Sequence, residues 1–229
     1  TGNGPIIKDG SGILAVTNGS NTFDGQLRIE EGSVSTTATA LENADVKVDV
    51  ANGLTLTATD TLIRSLNGDG SFAMTNDQTL TVSQGSYSGT ISGGILYKDS
   101  DSTFQFPGTH TGTGEAYLTD GVFVLDGSVQ TSSLSRMTTS HNTSIEGQGR
   151  ISGFLTMNGA VSPDEPGVGN IGTISAQGII LYDRFKFDLN EVTADQLIAD
   201  SDLFIGIDSN LHLSGTITGE IYILMQYDS

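Results

Sequence analysis

Apolar residues recur at every second position of this chain, in short runs broken at intervals of roughly 8–12 residues by glycine beside Asn, Asp or Ser. Leu27 and Ile29 alternate with Gln26, Arg28 and Glu30. Val46, Val48 and Val50 alternate with Lys47 and Asp49. The same pattern returns at Leu54 and Leu56, Leu80 and Val82, Phe104 and Phe106, Val122 and Val124, Leu155 and Met157, Phe185 to Leu189, Leu203 to Ile207, and Leu211 and Leu213. A period of two buries one face of a strand and leaves the other in water. Between the runs lie Asn18-Gly19-Ser20, Asn52-Gly53, Asn67-Gly68-Asp69-Gly70 and Asp126-Gly127-Ser128, which turn the chain because Gly and Asn accept positive φ. No stretch holds a 3.6-residue period for three turns. The nearest, Glu191 to Asp200, is expected to form at most one helical turn. The chain is therefore read as all-β.

Internal similarity narrows the choice among all-β folds. The segment starting at Lys8, KDGSGILAVTNGSNTFDGQLRIEEGSV, is echoed by KDSDSTFQFPGTHTGTGEAYLTDGVFV starting at Lys98. Each has Lys-Asp, a strand, a Gly/Thr-rich turn, a strand, an acidic-Gly corner and a third strand. A shorter unit, LNGDGSF from Leu66, is echoed by IEGQGRI from Ile145. Repeat-like units at 8–35 and 98–125, each about 25 residues, suit one coil of a β-solenoid, and such coils must stack because one alone cannot cover its apolar face. The expectation is one solenoid segment over 1–229. A β-sandwich or jelly roll is the alternative, since short alternating strands at this spacing describe those folds too.

The first unit resembles the autotransporter-associated β-strand repeat. Lys8, Gly10, Gly12, Leu14, Asn21, Phe23, Gly25, Leu27, Ile29 and Gly32 occupy the positions of that pattern. The block 145–229 is similar to the segment that follows such repeats, through GQGRISGFLTMNGAVSPDEPGVGNIGTI, Ala194 to Ile198 and Tyr222 to Ser229. Residues 36–97 diverge. The resemblance implies a right-handed parallel β-helix in the passenger region of a secreted or surface-exposed bacterial protein. With no signal peptide and no outer-membrane barrel within it, the segment is expected to be a fragment of a longer chain.

Composition excludes several functions. Nine Lys and Arg against 27 Asp and Glu give a net charge of −18, which repels phosphate backbones, so nucleic-acid binding is not expected. No apolar run approaches the roughly 20 residues of a membrane-spanning helix. The absence of cysteine removes disulfides, thiolate zinc sites and cysteine nucleophiles, and it suits a segment exported unfolded. His110, His141 and His212 lie far apart, without metal-ligand spacing.

Three constellations bear on chemistry. Lys98-Asp99-Ser100-Asp101-Ser102 and Asn67-Gly68-Asp69-Gly70 place acidic oxygens in turns, yet neither has the closing Glu of a calcium loop, and no tight calcium site is expected. Asp99, Asp101, Glu115, Asp120 and Asp126 are dense enough to be considered for polysaccharide cleavage, which needs grouped carboxylates. Sugar clefts also stack rings on aromatic faces, and this chain has no Trp and six Tyr. Thr55, Thr57, Thr59 and Thr61, and Thr109, Thr111 and Thr113, form alternating rows that would order water if stacked over coils, but they do not recur at a fixed coil period, and outward Thr is the ordinary strand residue.

No catalytic, cofactor-binding or metal residue is assigned. The expected role is a non-enzymatic extracellular structural protein: a surface, fibre or passenger-stalk solenoid that self-associates, or meets neighbouring domains of its parent chain, through its ends. The apolar strand Ile221 to Tyr227 is expected to be capped or joined end to end. The alternatives are an adhesin binding a surface glycan or protein ligand through residues 36–97, and a polysaccharide-acting enzyme.

Overall fold

The computed structural model describes residues 4–21, 23–111, 116–130, 136–163, 172–189, 195–206, 210–215 and 225–227, and all its regular elements are strands, from Ile6–Val16 at one end to Met225–Tyr227 at the other. Every described strand pairing is parallel, and partners are far apart in sequence. Parallel pairing throughout replaces the sandwich and jelly-roll alternative, whose sheets are antiparallel. The chain winds into a right-handed parallel β-helix of about eight full turns.

Three inward columns make the core. On one face Ile6, Leu27, Val46, Leu66, Gly85, Phe104, Phe123 and Ile145 stand in successive register. A second face stacks Leu14, Val34, Leu54, Phe72, Ile91, His110, Val129, Ile151, Ala176 and Ala199. The third runs Thr61, Leu80, Leu96, Ala116, Met137, Leu155, Ile179 and Leu203. Each residue in a column sits on its neighbour one strand spacing away, about 4.8 Å, so like side chains pack on like. Phe104, Phe106 and Phe123 form a mutual cluster with ring centroids 5.8–5.9 Å apart, the Phe104–Phe123 pair edge-to-face, a distance at which aromatic pairs are favourable.

The coil is shorter than the unit read from the sequence. Ser71, Thr90, Thr109 and Ser128 are successive partners on one face, 19 residues apart, and not about 25. A unit of the Lys8 type therefore covers more than one turn. Three faces of three or four residues suffice per coil because the corners between them are tight. Asn52 adopts φ 56° ahead of Gly53, as its Asn-Gly turn predicts. Gly68 and Gly147, at φ 105° and 100°, turn matching corners, so the echo between Leu66–Phe72 and Ile145–Ile151 is a true structural repeat: its first and last residues occupy the same two columns.

The echo between Lys8 and Lys98 is of another kind. Lys8 pairs with Ile29 at the end of the first face, whereas Lys98 pairs with Val82 and Leu118 at the end of the third. The two units place one local corner at two different edges of the helix, out of phase with the coil. The residues expected to show at most one helical turn are partly described, and Gln196 to Asp200 belong to the strand Gln196–Ile205. Among the described residues no helix is long and apolar enough to cross a membrane.

Candidate functional site

The acidic turn around Lys98 brings the most charge together. The register of the strand Ile95–Phe106 puts the Lys98 Cα in an inward column, so its aliphatic stem is enclosed and the residue is only 1% exposed. The ammonium must then find acceptors at the corner. Its Nζ donates to the carbonyl of Ser100, to Ser100 Oγ at 3.2 Å and to the Asp120 carbonyl of the next coil at 3.2 Å. Ser100 Oγ in turn donates to the Ser83 carbonyl of the preceding coil at 2.5 Å, so the lysine ties three coils. Burial draws the ammonium below its ordinary titration range, while the nearby carboxylates of Asp99, Asp120 and Asp101 oppose that fall.

Among the surrounding acids, Asp99 and Asp120 are register partners on adjacent coils. Asp99 and Asp101 are exposed. Asp99 accepts from Ser83 Oγ at 3.2 Å, and Asp120 accepts from the Gly121 N–H at 2.9 Å. Asp126 stands at the following corner, beyond the residues Gly121 to Leu125, where it accepts from the Gln148 N–H at 3.3 Å. Glu115 lies outside the described residues. Among the described residues no three His, Asp or Glu side chains are placed to hold a metal ion. What this arrangement does chemically is neutralise and tie a corner: the lysine donates to two backbone carbonyls and to Ser100 Oγ, and Asp99, Asp120 and Asp126 accept from neighbouring hydroxyl and N–H groups.

Asn67-Gly68-Asp69-Gly70 is likewise used by the fold. Asn67 donates to Ser65 Oγ at 2.8 Å and accepts from the Ser86 N–H at 3.1 Å. A Cβ on Gly70 would fall 2.3 Å from the Val50 carbonyl oxygen, so this corner needs glycine for close coil approach. Asp69 borders a shallow polar hollow of about 260 Å³ lined by Lys47, Asp49, Gly68, Ser86 and Ser88, where Lys47 pairs with Asp49 at 2.7 Å.

The threonine rows are split by the coil. Thr55, Thr57 and Thr59 are exposed, but Thr61 is buried in the third column, because the strand Leu54–Leu56 ends and Asp60–Gly68 begins on another face. Thr109 and Thr111 point outward and Thr113 lies outside the described residues. Across coils, hydroxyl residues do recur at a fixed period: Ser71, Thr90, Thr109 and Ser128 form one outward column, with Ser128 Oγ 3.4 Å from Thr109 Oγ1. Reading along one strand missed this, since the column is written at 19-residue intervals.

His110 was also missed as a core residue. Between outward Thr109 and Thr111 it is fully buried in the second column, its Nε2 3.1 Å from the Gly93 carbonyl and its Nδ1 without a partner. Burial holds its pKa below the usual histidine value, against the pull of the Gly93 and Gly94 backbone. The alternation Thr-His-Thr was the available signal. His141 lies in an exposed turn, and the side chain of His212 lies outside the described residues.

Comparison with protein-family models, curated proteins and solved structures finds no match to this chain.

Proposed function

We propose that this chain is a non-enzymatic structural β-solenoid of an extracellular or cell-surface bacterial protein, serving as a stalk or fibre segment of the passenger type. One observation carries the reading: the polar groups that looked chemical in the sequence are engaged in joining coils, most fully at Lys98, whose ammonium spans successive turns. A rod whose core is a continuous parallel ladder is stiff along its axis, because every coil is hydrogen-bonded to the next.

Electron microscopy of the native protein, with protease treatment of intact cells, tests this. Rods or filaments removed by protease outside the cell are the expected result, and a compact particle retained inside the cell overturns it. An adhesin reading has one observation in its favour: the polar hollow at Lys47, Asp49, Asp69, Ser86 and Ser88 falls within the divergent 36–97 segment. A glycan array on the wild-type chain and on Lys47→Ala separates the two, because a stalk gives no signal that depends on Lys47.

A further inference from the structure

The outer side of the third face carries the one tyrosine–tyrosine ring contact among the described residues. In the strands Ile95–Phe106 and Ala116–Leu125 the alternation turns Leu96, Lys98, Ala116 and Leu118 inward, so Tyr97 and Tyr117 point outward, where both are half-buried. They are register partners on successive coils, with Thr81 before them and Thr138 after them in the same outward column. One strand spacing, about 4.8 Å, therefore sets their separation. The rings stack with centroids 4.6 Å apart and planes 20° from parallel. Carbon surfaces in contact stand about 3.5–4.0 Å apart, so the rings overlap face over face with a lateral offset, an arrangement that aromatic pairs favour.

The pair is held in place. Thr119 Oγ1 donates to the Lys98 carbonyl at 3.0 Å, and Lys98 Nζ donates to the Asp120 carbonyl at 3.2 Å, so the backbone just beyond each ring is tied to the other coil. The other tyrosines whose side chains are described stack on phenylalanine. Tyr87 is buried against Phe72, its hydroxyl donating to the Gly70 carbonyl at 2.9 Å, and Tyr182 faces Phe204. The chain has no cysteine and no tryptophan, and Met74, Met137 and Met157 are buried. Outward tyrosine is therefore the readiest electron donor among the described residues.

We propose that Tyr97 and Tyr117 form an oxidative crosslinking site, at which a peroxidase acting with hydrogen peroxide joins two successive coils through a dityrosine bond. Each phenol gives up one electron and its hydroxyl proton and becomes a phenoxyl radical, with spin on the carbons ortho to oxygen. An ortho carbon of one ring then forms a C–C bond to an ortho carbon of the other. The two ortho C–H bonds break, their protons pass to solvent while two protons return to the phenoxyl oxygens, and both rings regain aromaticity and their hydroxyl groups. The pair has lost two hydrogen atoms in all, and the hydrogen peroxide that accepts them leaves as two waters. Stacking directs the radicals to each other, because the partner ring is already in contact and coupling outpaces encounter between chains. The product is a covalent joint between coils in a chain without cysteine.

Treating the full chain with a haem peroxidase and hydrogen peroxide tests this. The expected result is dityrosine fluorescence from chains that remain uncrosslinked to one another, in a yield independent of protein concentration. Peptide mapping should find a crosslinked pair containing Tyr97 and Tyr117, its mass two hydrogens below the sum of the two peptides. Tyr97→Phe and Tyr117→Phe keep a ring in the stack, so the circular dichroism should not change, and each should cut the fluorescence about tenfold or more. Tyr182→Phe should leave it unaltered. Full yield in Tyr97→Phe, crosslinks mapped mainly to other tyrosines, or dimers formed in place of the intrachain product would overturn the proposal. An absence of dityrosine in the folded chain, in a mixture that couples free tyrosine, would overturn it too.

Discussion

Lys8 and Lys98 open the same sequence unit and make the same local corner, yet one is enclosed and the other is not. Each ammonium donates to a carbonyl two residues on, Gly10 or Ser100, and to a carbonyl of the next coil, Glu31 at 3.0 Å or Asp120 at 3.2 Å. Each next coil then turns on a positive-φ glycine, Gly32 at 69° or Gly121 at 75°. The difference lies in what is above. Val82 and Ser83 cover Lys98, while among the described residues Lys8 lies on the first strand and has a paired strand on one side only. The corner is thus a local device, and burial is supplied by the neighbouring turns.

The glycines give the largest expected contrast. A Cβ on Gly121 would lie 2.1 Å from the Ser100 carbonyl oxygen, and one on Gly32 2.3 Å from that of Gly10. Both substitutions also force a non-glycine residue to positive φ, at about 1–2 kcal/mol. Gly121 is held between coils that cannot both withdraw, so Gly121→Ala should cost about 3 kcal/mol or more, of which the backbone strain is part. The first strand can move away from Gly32, so Gly32→Ala should cost little beyond the φ term. Equal urea midpoints for the two variants would break the comparison.

Removing the lysines should give the next largest difference. Lys98→Met leaves the Ser100 and Asp120 carbonyls without their donor in a covered corner, an expected loss of about 2–3 kcal/mol. Lys8→Met leaves carbonyls that water can reach, and the expected loss is below about 1 kcal/mol. Lys98→Arg keeps the charge but cannot fit its planar fork into the same enclosed corner, so it should rescue only part of the stability. Chemical denaturation of the three variants reads the order, and a rescue to full wild-type stability by Arg would show that charge alone, and not the fit at the corner, is what matters.

A second enclosed polar group sharpens the contrast through pH. Because His110 is held neutral by burial, its folded pKa lies below the unfolded value of about 6.5. The unfolded state therefore takes up the proton first. The stability that depends on the neutral ring is complete above about pH 6.5 and is lost as pH falls from there through the folded-state pKa. His110→Leu should flatten that part of the profile, as measured by urea midpoints between pH 7.5 and 5. A variant retaining the same acid loss would assign it to other groups.

The alternation of Leu27 with Arg28 and Ile29, or of Thr109 with His110 and Thr111, is local information. It states which side of a strand is apolar, and the inward columns follow it at Leu27, Ile29 and His110, but not at Val122 and Val124, where Phe123 takes the first inward column and Val122 is left half-buried. Glycine beside Asn or Asp states where the chain bends, and Asn52, Gly68 and Gly147 bend it there. The candidate site was legible only as composition: Lys98, Asp99 and Asp101 were visible as a charged turn and Asp120 as one of several dense acids, but not that the lysine would be drawn inward and Asp99 and Asp101 left on the surface. Thr61 shows the limit plainly. It continues the Thr55-Thr57-Thr59 row in sequence, yet a corner at residues 57–59 passes it to another face and into the core.

From its sequence alone, then, this protein was bound to be a chain of short strands with one apolar edge and frequent sharp corners, because those properties depend on side-chain period and backbone freedom within a few residues. The tertiary structure decided the coil length of 19 residues at its centre, the phase between the two lysine units and the enclosure of Lys98 and His110. Register between parallel strands is set by which distant residues share hydrogen bonds, and a corner that takes one residue more or fewer shifts every partner after it.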